Sequence, residues 1–75
     1  MPLPWFVVNG MIKATEMAEE ILGHPPQAYE ILLVCNDYFT LPVSLPGEIA
    51  AILTCMVRED WIMIDKKSYR YTVRQ

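Results

Sequence analysis

Apolar residues recur at helical spacing in three stretches of the chain and at alternating spacing in a fourth. The first stretch predicts a helix over 10–22, with Asn9 as its N-cap and Gly23 just past its end. A second helix is predicted over 25–39 and a third over 46–58, each with a proline in its first turn. Within the second stretch, residues 29–35 would also suit a buried strand. Helical spacing continues beyond that part, which favours the helix.

The alternating stretch predicts a β-hairpin. Residues 61–65 and 68–74 are rich in β-branched and aromatic side chains, and the two lysines at 66–67 separate them. A two-residue loop at 66–67 would pair Ile64 with Tyr69. Alternation then gives the hairpin one apolar face, made of Ile62, Ile64, Tyr69, Tyr71 and Val73. The opposite face carries Trp61, Met63, Arg70, Thr72 and Arg74.

Two segments that contain prolines are predicted to be extended. Prolines near the start disfavour helix, so residues 1–9 are predicted to form an arm, with a short strand at 4–8. Trp5, within that arm, is predicted to anchor it in the core. A second short strand is predicted at 40–44, where apolar residues alternate between two prolines.

These elements define one small α+β domain over 1–75, in which a helical core over 10–58 precedes a hairpin over 61–74. The chain has 75 residues, of which 53% are hydrophobic. A domain of this size buries only about 60% of its unfolded surface, so its margin of stability is small. The high apolar content argues against disorder and leaves apolar surface for a partner.

The basic residues are concentrated at the end of the chain. The net charge is −3 and the sequence pI about 4.9, yet five of the six basic residues follow Val57. They are Arg58, Lys66, Lys67, Arg70 and Arg74. The remainder of the chain is acidic, so the last residues create a local positive field in an acidic protein.

The chain carries little that could support catalysis or cofactor binding. Cys35 and Cys55 lie in apolar helical contexts and are predicted to be free thiols in a reducing compartment, which favours the cytoplasm. His24 has no nucleophile or carboxylate placed beside it, and no close pair of metal ligands occurs. We therefore expect no enzyme activity, no cofactor and no metal. No apolar run is long enough to span a membrane.

Residues 49–71 resemble the end of a winged helix-turn-helix domain. Such domains have a helix that ends in a charged pair, then a turn, an apolar residue and a hairpin that closes on a tyrosine. Here Glu59-Asp60-Trp61-Ile62 stands where a turn with glycine is common. Upstream the chain departs from the pattern, because the segment 40–45 replaces a tight turn with an extended one.

The resemblance implies a small regulatory protein that binds DNA. In that family the third helix enters the major groove and the wing touches the backbone or the minor groove. Carried over, the wing residues expected to contact phosphates are Lys66, Lys67, Arg70 and Arg74. Thr54 and Arg58 would face the groove. Glu48 and the acidic total oppose such binding, and so few contacts would require a homodimer.

A module that binds another protein, or inhibits one, is the alternative function. It would use the outer face of the hairpin, through Trp61, Met63 and Arg70. Trp and Arg dominate the energetics of interfaces, and Met adapts to irregular surfaces. Equally, the N-terminal arm could cover Trp61 and Met63, in which case no such surface exists.

Overall fold

The computed structural model describes residues 3–38 and 46–74, which form three helices followed by a two-stranded antiparallel hairpin. The elements are α1 (Trp5–Leu22), α2 (Ala28–Tyr38), α3 (Pro46–Arg58), β1 (Ile62–Asp65) and β2 (Arg70–Val73). This α+β order confirms the prediction from the sequence. The strand predicted at 40–44 lies outside the described residues.

The first helix begins at Trp5, so the predictions of an extended arm over 1–9 and a strand at 4–8 are wrong from that residue onward. Pro4 precedes the helix with extended backbone angles, and its carbonyl accepts the amides of Val7 and Val8 at 3.0 and 3.2 Å. A proline at a helix start loses no hydrogen bond, because the first amides have no partner within the helix. Asn9 lies inside α1 and does not cap it.

Gly23 ends α1, as predicted. Its φ of 78° is left-handed, and its amide donates to the carbonyl of Glu19 at 2.8 Å. The second helix begins at Ala28, not at the proline pair. The Glu30 carboxylate accepts the backbone amide of Gln27 at 2.8 Å, which caps the helix from its third residue.

The hairpin has a four-residue loop over 66–69, so the predicted two-residue loop is wrong. Ile64 pairs with Tyr71, and Asp65 pairs with Arg70. Tyr69 was predicted to face Ile64 across the hairpin, but it lies in the loop with a φ of 57° and is exposed. A register shift of two residues leaves the face of every strand residue unchanged. The predicted apolar face therefore survives without Tyr69.

One hydrophobic core joins the three helices and the inner face of the hairpin. Met11, Ile31, Leu53, Met56 and Ile62 are almost fully buried at its centre. The hydroxyl of Thr15, buried among them, donates to the carbonyl of Met11 at 2.7 Å, so it is satisfied inside α1. Ile21 and Tyr38, although apolar or aromatic, lie outside this core and are exposed.

Candidate nucleic-acid and protein interfaces

Arg70, predicted to contact phosphate, is engaged inside the protein. Its Nη1 atom donates to the carbonyl of Pro25 at 2.8 Å and lies 3.4 Å from Oε1 of Glu30. The same atom is 3.0 Å from Nδ1 of His24. The side chain of Arg70 is 33% exposed and that of Glu30 is 14% exposed. A phosphate contact by Arg70 remains a prediction, and it would compete with this ion pair.

Backbone hydrogen bonds hold the same two segments together. The amide of Tyr71 donates to the carbonyl of Pro26 at 2.8 Å, and the side-chain amide of Gln27 donates to the carbonyl of Ser68 at 2.8 Å. Gln27 and Arg70 form an isolated antiparallel bridge. We call the contacts of Gln27, Glu30 and the two prolines with residues 68–71 the turn latch. It fixes the hairpin to the connection between α1 and α2.

The hairpin loop presents its two lysines to solvent. Lys66 and Lys67 are exposed, and neither forms an ion pair with any residue the structure describes. The Asp65 carboxylate accepts the amide of Lys67 at 2.9 Å. This hydrogen bond, with others from Ser68, holds the pKa of Asp65 below its usual value. The carboxylate therefore shapes the loop, and its charge offsets part of the charge of the two lysines.

The outer face of α3 offers few groups that could read bases. Thr54 and Arg58 are exposed, as the predicted site requires, but the hydroxyl of Thr54 donates to the carbonyl of Ala50 at 2.8 Å. Arg58 forms no ion pair within 3–38 and 46–74. Arg74 lies 4.0 Å from Asp60, and both side chains are mostly exposed, so that pair is weak.

Trp61 and Met63, the residues of the alternative interface, are both exposed but lie in separate clefts. Trp61 is 46% exposed, and its indole nitrogen donates to Glu59 at 3.3 Å. Met63 lines a cleft with Arg70 and Thr72, and Trp61 does not reach it. The structure therefore brings Met63 and Arg70 together but does not join Trp61 to them.

Trp61 instead shares a cleft with the start of the chain. Trp5, predicted to anchor the core, is 77% exposed, and Phe6 beside it is 54% exposed. The residues that line the cleft are Leu3, Trp5, Val8, Asn9, Ile12, Glu59 and Trp61. Sequence reasoning missed this surface because it assigned an arm where a helix forms. Once Val7 and Met11 face the core, helical spacing turns Trp5 outward.

A second apolar surface lies between the first two helices. A cleft of about 250 Å³ runs between the end of α1 and the outer side of α2. Its exposed apolar walls are formed by Ile21, Leu22, Tyr29, Leu33 and Tyr38, and we call this surface the α1–α2 groove. Two carboxylates, of Glu30 and Asp37, also line it. The sequence does not indicate this groove, because a run of consecutive apolar residues does not show which of its side chains face outward.

Three further observations concern metal binding, membrane insertion and the two thiols. Within residues 3–38 and 46–74, no three histidine, cysteine or acidic side chains converge as metal ligands would. No helix that the described residues form is both long and apolar enough to cross a membrane. Cys35 and Cys55 are free thiols, and burial raises the pKa of both.

Comparison of the chain with protein-family models, curated proteins and solved structures gives no match.

Proposed function

We propose that the protein binds nucleic acid through the hairpin loop and the C-terminal end of α3. The observation that carries this proposal is the state of three cations: Arg58, Lys66 and Lys67 are exposed and form no ion pair with the described residues. Such side chains are available to phosphates without breaking an internal contact. The winged helix-turn-helix resemblance supplies a geometry in which both elements meet one duplex.

The proposed mode of binding follows from the small number of groups on these elements that could contact nucleic acid. Three phosphate contacts give a salt dependence with a slope of about −3, at about −0.9 per contact. Glu48 and Asp65 are exposed on the same elements and weaken the attraction. Base reading through Thr54 and Arg58 alone is limited. We therefore propose a regulatory protein that binds mainly the backbone. The buried free thiol of Cys35 supports a reducing compartment such as the cytoplasm.

Fluorescence anisotropy with labelled duplex and single-stranded oligonucleotides, over a salt series, tests the proposal. Lys66→Gln and Lys67→Gln should each lower the magnitude of the salt slope by about 1, and together by about 2. Asn36→Asp is the matched control, because it also lowers the net charge by one, at an exposed position on α2. The proposal fails if no binding occurs at low salt, or if the control weakens binding as much as the lysine variants.

Protein binding is the second candidate, and the α1–α2 groove favours it. A contiguous patch of exposed apolar side chains often marks an interaction site. Because Asp37 lines the groove, is exposed and forms no ion pair with the described residues, we propose an amphipathic helix with a basic flank as the occupant. Labelled peptides of that design should bind in the micromolar range, and Leu33→Glu should abolish binding while Met63→Glu, outside the groove, should not. A panel without a single binder would exclude this occupant.

A further inference from the structure

We propose that two copies of this chain associate through an aromatic patch, which we define as Trp5, Phe6 and Trp61 with the cleft beneath them. Trp5 and Phe6 lie in the first turn of α1, and Trp61 follows α3. Trp61 and Trp5 line the same cleft. Because helical spacing places Phe6 one turn before Asn9, which also lines the cleft, Phe6 extends the patch along α1.

The exposed area of this patch suits the centre of a dimer interface. An aromatic side chain carries roughly 150–250 Å². Exposed fractions of 77%, 54% and 46% therefore leave roughly 300–400 Å² of aromatic surface in water on each copy. A standard interface removes about 800 Å² from each partner, so three residues supply nearly half of it. Tryptophan is also the residue type most enriched among those that dominate binding energy.

The charges around the patch favour a second copy as the partner. In a two-fold dimer the same surface meets itself, so a patch with charges of one sign would repel its copy. Glu59 is the charged residue that lines the cleft. Lys13 is exposed one helical turn beyond Asn9, so the edge of the patch carries both signs. Glu59 of one copy can then face Lys13 of the other.

The α1–α2 groove does not suit self-association in the same way. It is lined by Glu30, whose charge Arg70 offsets, and by Asp37, which forms no ion pair with the described residues. Two copies of this groove would bring their unpaired Asp37 carboxylates towards each other across a surface from which water is excluded on binding. Charge therefore assigns self-association to the aromatic patch and a basic partner to the groove.

Self-association goes beyond the proposed nucleic-acid binding and does not depend on it. A dimer would nevertheless offer one duplex twice as many unpaired basic side chains. When the contacts of one copy are weak, two copies on adjacent half-sites are needed for binding. The two properties are measured separately, since sedimentation reports the dimer without nucleic acid. A dimer that fails to bind oligonucleotides would overturn the proposed function alone.

Sedimentation equilibrium over a range of protein concentrations is the direct test. We expect the mass to rise from the 8.7 kDa of one chain towards twice that value. The chain has two tryptophans, and both belong to the patch, so intrinsic fluorescence reports on it specifically. Their emission should shift to shorter wavelength over the same concentration range as the mass increases. A mass of one chain at every concentration would overturn the proposal.

Variants then locate the interface. Trp5→Glu combined with Phe6→Glu places acids in the first turn of α1, which has none, where they favour the helix dipole. Lost association therefore cannot be ascribed to a weakened helix, and circular dichroism checks this. Tyr29→Glu is the control, because it places an acid at an exposed aromatic residue in the first turn of α2.

The patch variant should weaken self-association at least about tenfold, or about 1.4 kcal/mol, and the control should leave it unchanged. A dimer that is weakened by Tyr29→Glu and not by the patch variant would place the interface in the α1–α2 groove and overturn the assignment. A dimer that neither variant weakens would overturn it as well.

Discussion

Arg70 and Glu30 are 40 residues apart in the sequence, and their side chains lie 3.4 Å apart in the structure. The same oxygen of Glu30 accepts the backbone amide of Gln27, so one carboxylate both caps α2 and receives the guanidinium of the hairpin. Arg70 also donates to the carbonyl of Pro25. Because a half-buried polar group without a partner is costly, these contacts help to fix the position of the hairpin on the helices.

Replacement of Arg70 by alanine should lower the free energy of unfolding by about 1–2 kcal/mol, a value reduced from that of a buried pair because Arg70 is one-third exposed. Urea denaturation measures the change. Arg74→Ala is the control, since Arg74 is an exposed arginine on the same segment whose ion pair is 4.0 Å long, and it should cost at most about 0.5 kcal/mol. Equal losses in the two variants would contradict a stabilising role of the turn latch.

The hairpin shows what sequence alone can establish and where it fails. Alternation of apolar residues correctly placed Ile62, Ile64 and Tyr71 on the buried face, because a face depends only on whether positions are odd or even. It could not determine the loop length. Asp65 accepts an amide from the loop, and Tyr69 adopts a left-handed conformation that is unusual for a tyrosine. Aspartate commonly accepts the amide two residues on, so Asp65 was a local signal for a turn, whereas the sequence carries no signal for the left-handed Tyr69.

The candidate site was less predictable than the fold. The exposure of Lys66, Lys67 and Arg58 could be inferred, because charged residues at a loop and a helix end rarely lie buried. The internal use of Arg70 could not, since it depends on a partner 40 positions away. Trp5 was predicted as buried on the general preference of tryptophan. The preference fails here because α1 already fills the core with smaller residues on its other face.

Gly23, just past the end of α1, and Gly47, in the first turn of α3, should respond in opposite directions to alanine. Gly23 has a φ of 78°, where a Cβ atom is strained, so Gly23→Ala should destabilise the protein by about 1 kcal/mol. Gly47 lies in the first turn of α3, and a Cβ atom there would meet nothing within 4 Å. Gly47→Ala should therefore stabilise by about 0.5 kcal/mol, because alanine loses less backbone entropy on folding.

Thermal and urea unfolding of both glycine variants, compared with the unmodified chain, distinguish these effects. Since neither position is crowded, the difference between the two variants isolates backbone conformation from packing. A stabilising Gly23→Ala would mean that α1 does not end in the left-handed conformation that the structure shows.

Alkaline pH should destabilise the protein through two buried acids. Burial raises the pKa of the Cys35 thiol above 9.0 and that of the Tyr71 phenol above 10.0. The folded state then keeps a proton that the unfolded state has lost, so the free energy of unfolding falls as pH rises. Below about pH 7.5 both groups are almost fully protonated in either state, and their contribution is fully present. Between the unfolded and folded pKa, each group contributes a slope of at most about −1.4 kcal/mol per pH unit.

The Tyr71→Phe variant separates the phenol from the thiol. Phenylalanine keeps the ring that packs in the core and removes the ionisable hydroxyl, so stability at pH 7 should change by less than about 1 kcal/mol. Above pH 10 its unfolding free energy should decline less steeply than that of the unmodified chain, as measured by urea denaturation at stepped pH. Tyr69→Phe is the control, because Tyr69 lies in the hairpin loop with its side chain exposed, and this change should leave the pH profile as it was. If Tyr71→Phe and the unmodified chain lose stability in parallel up to pH 11, then Tyr71 does not retain its proton in the folded state and the phenol is not the group responsible.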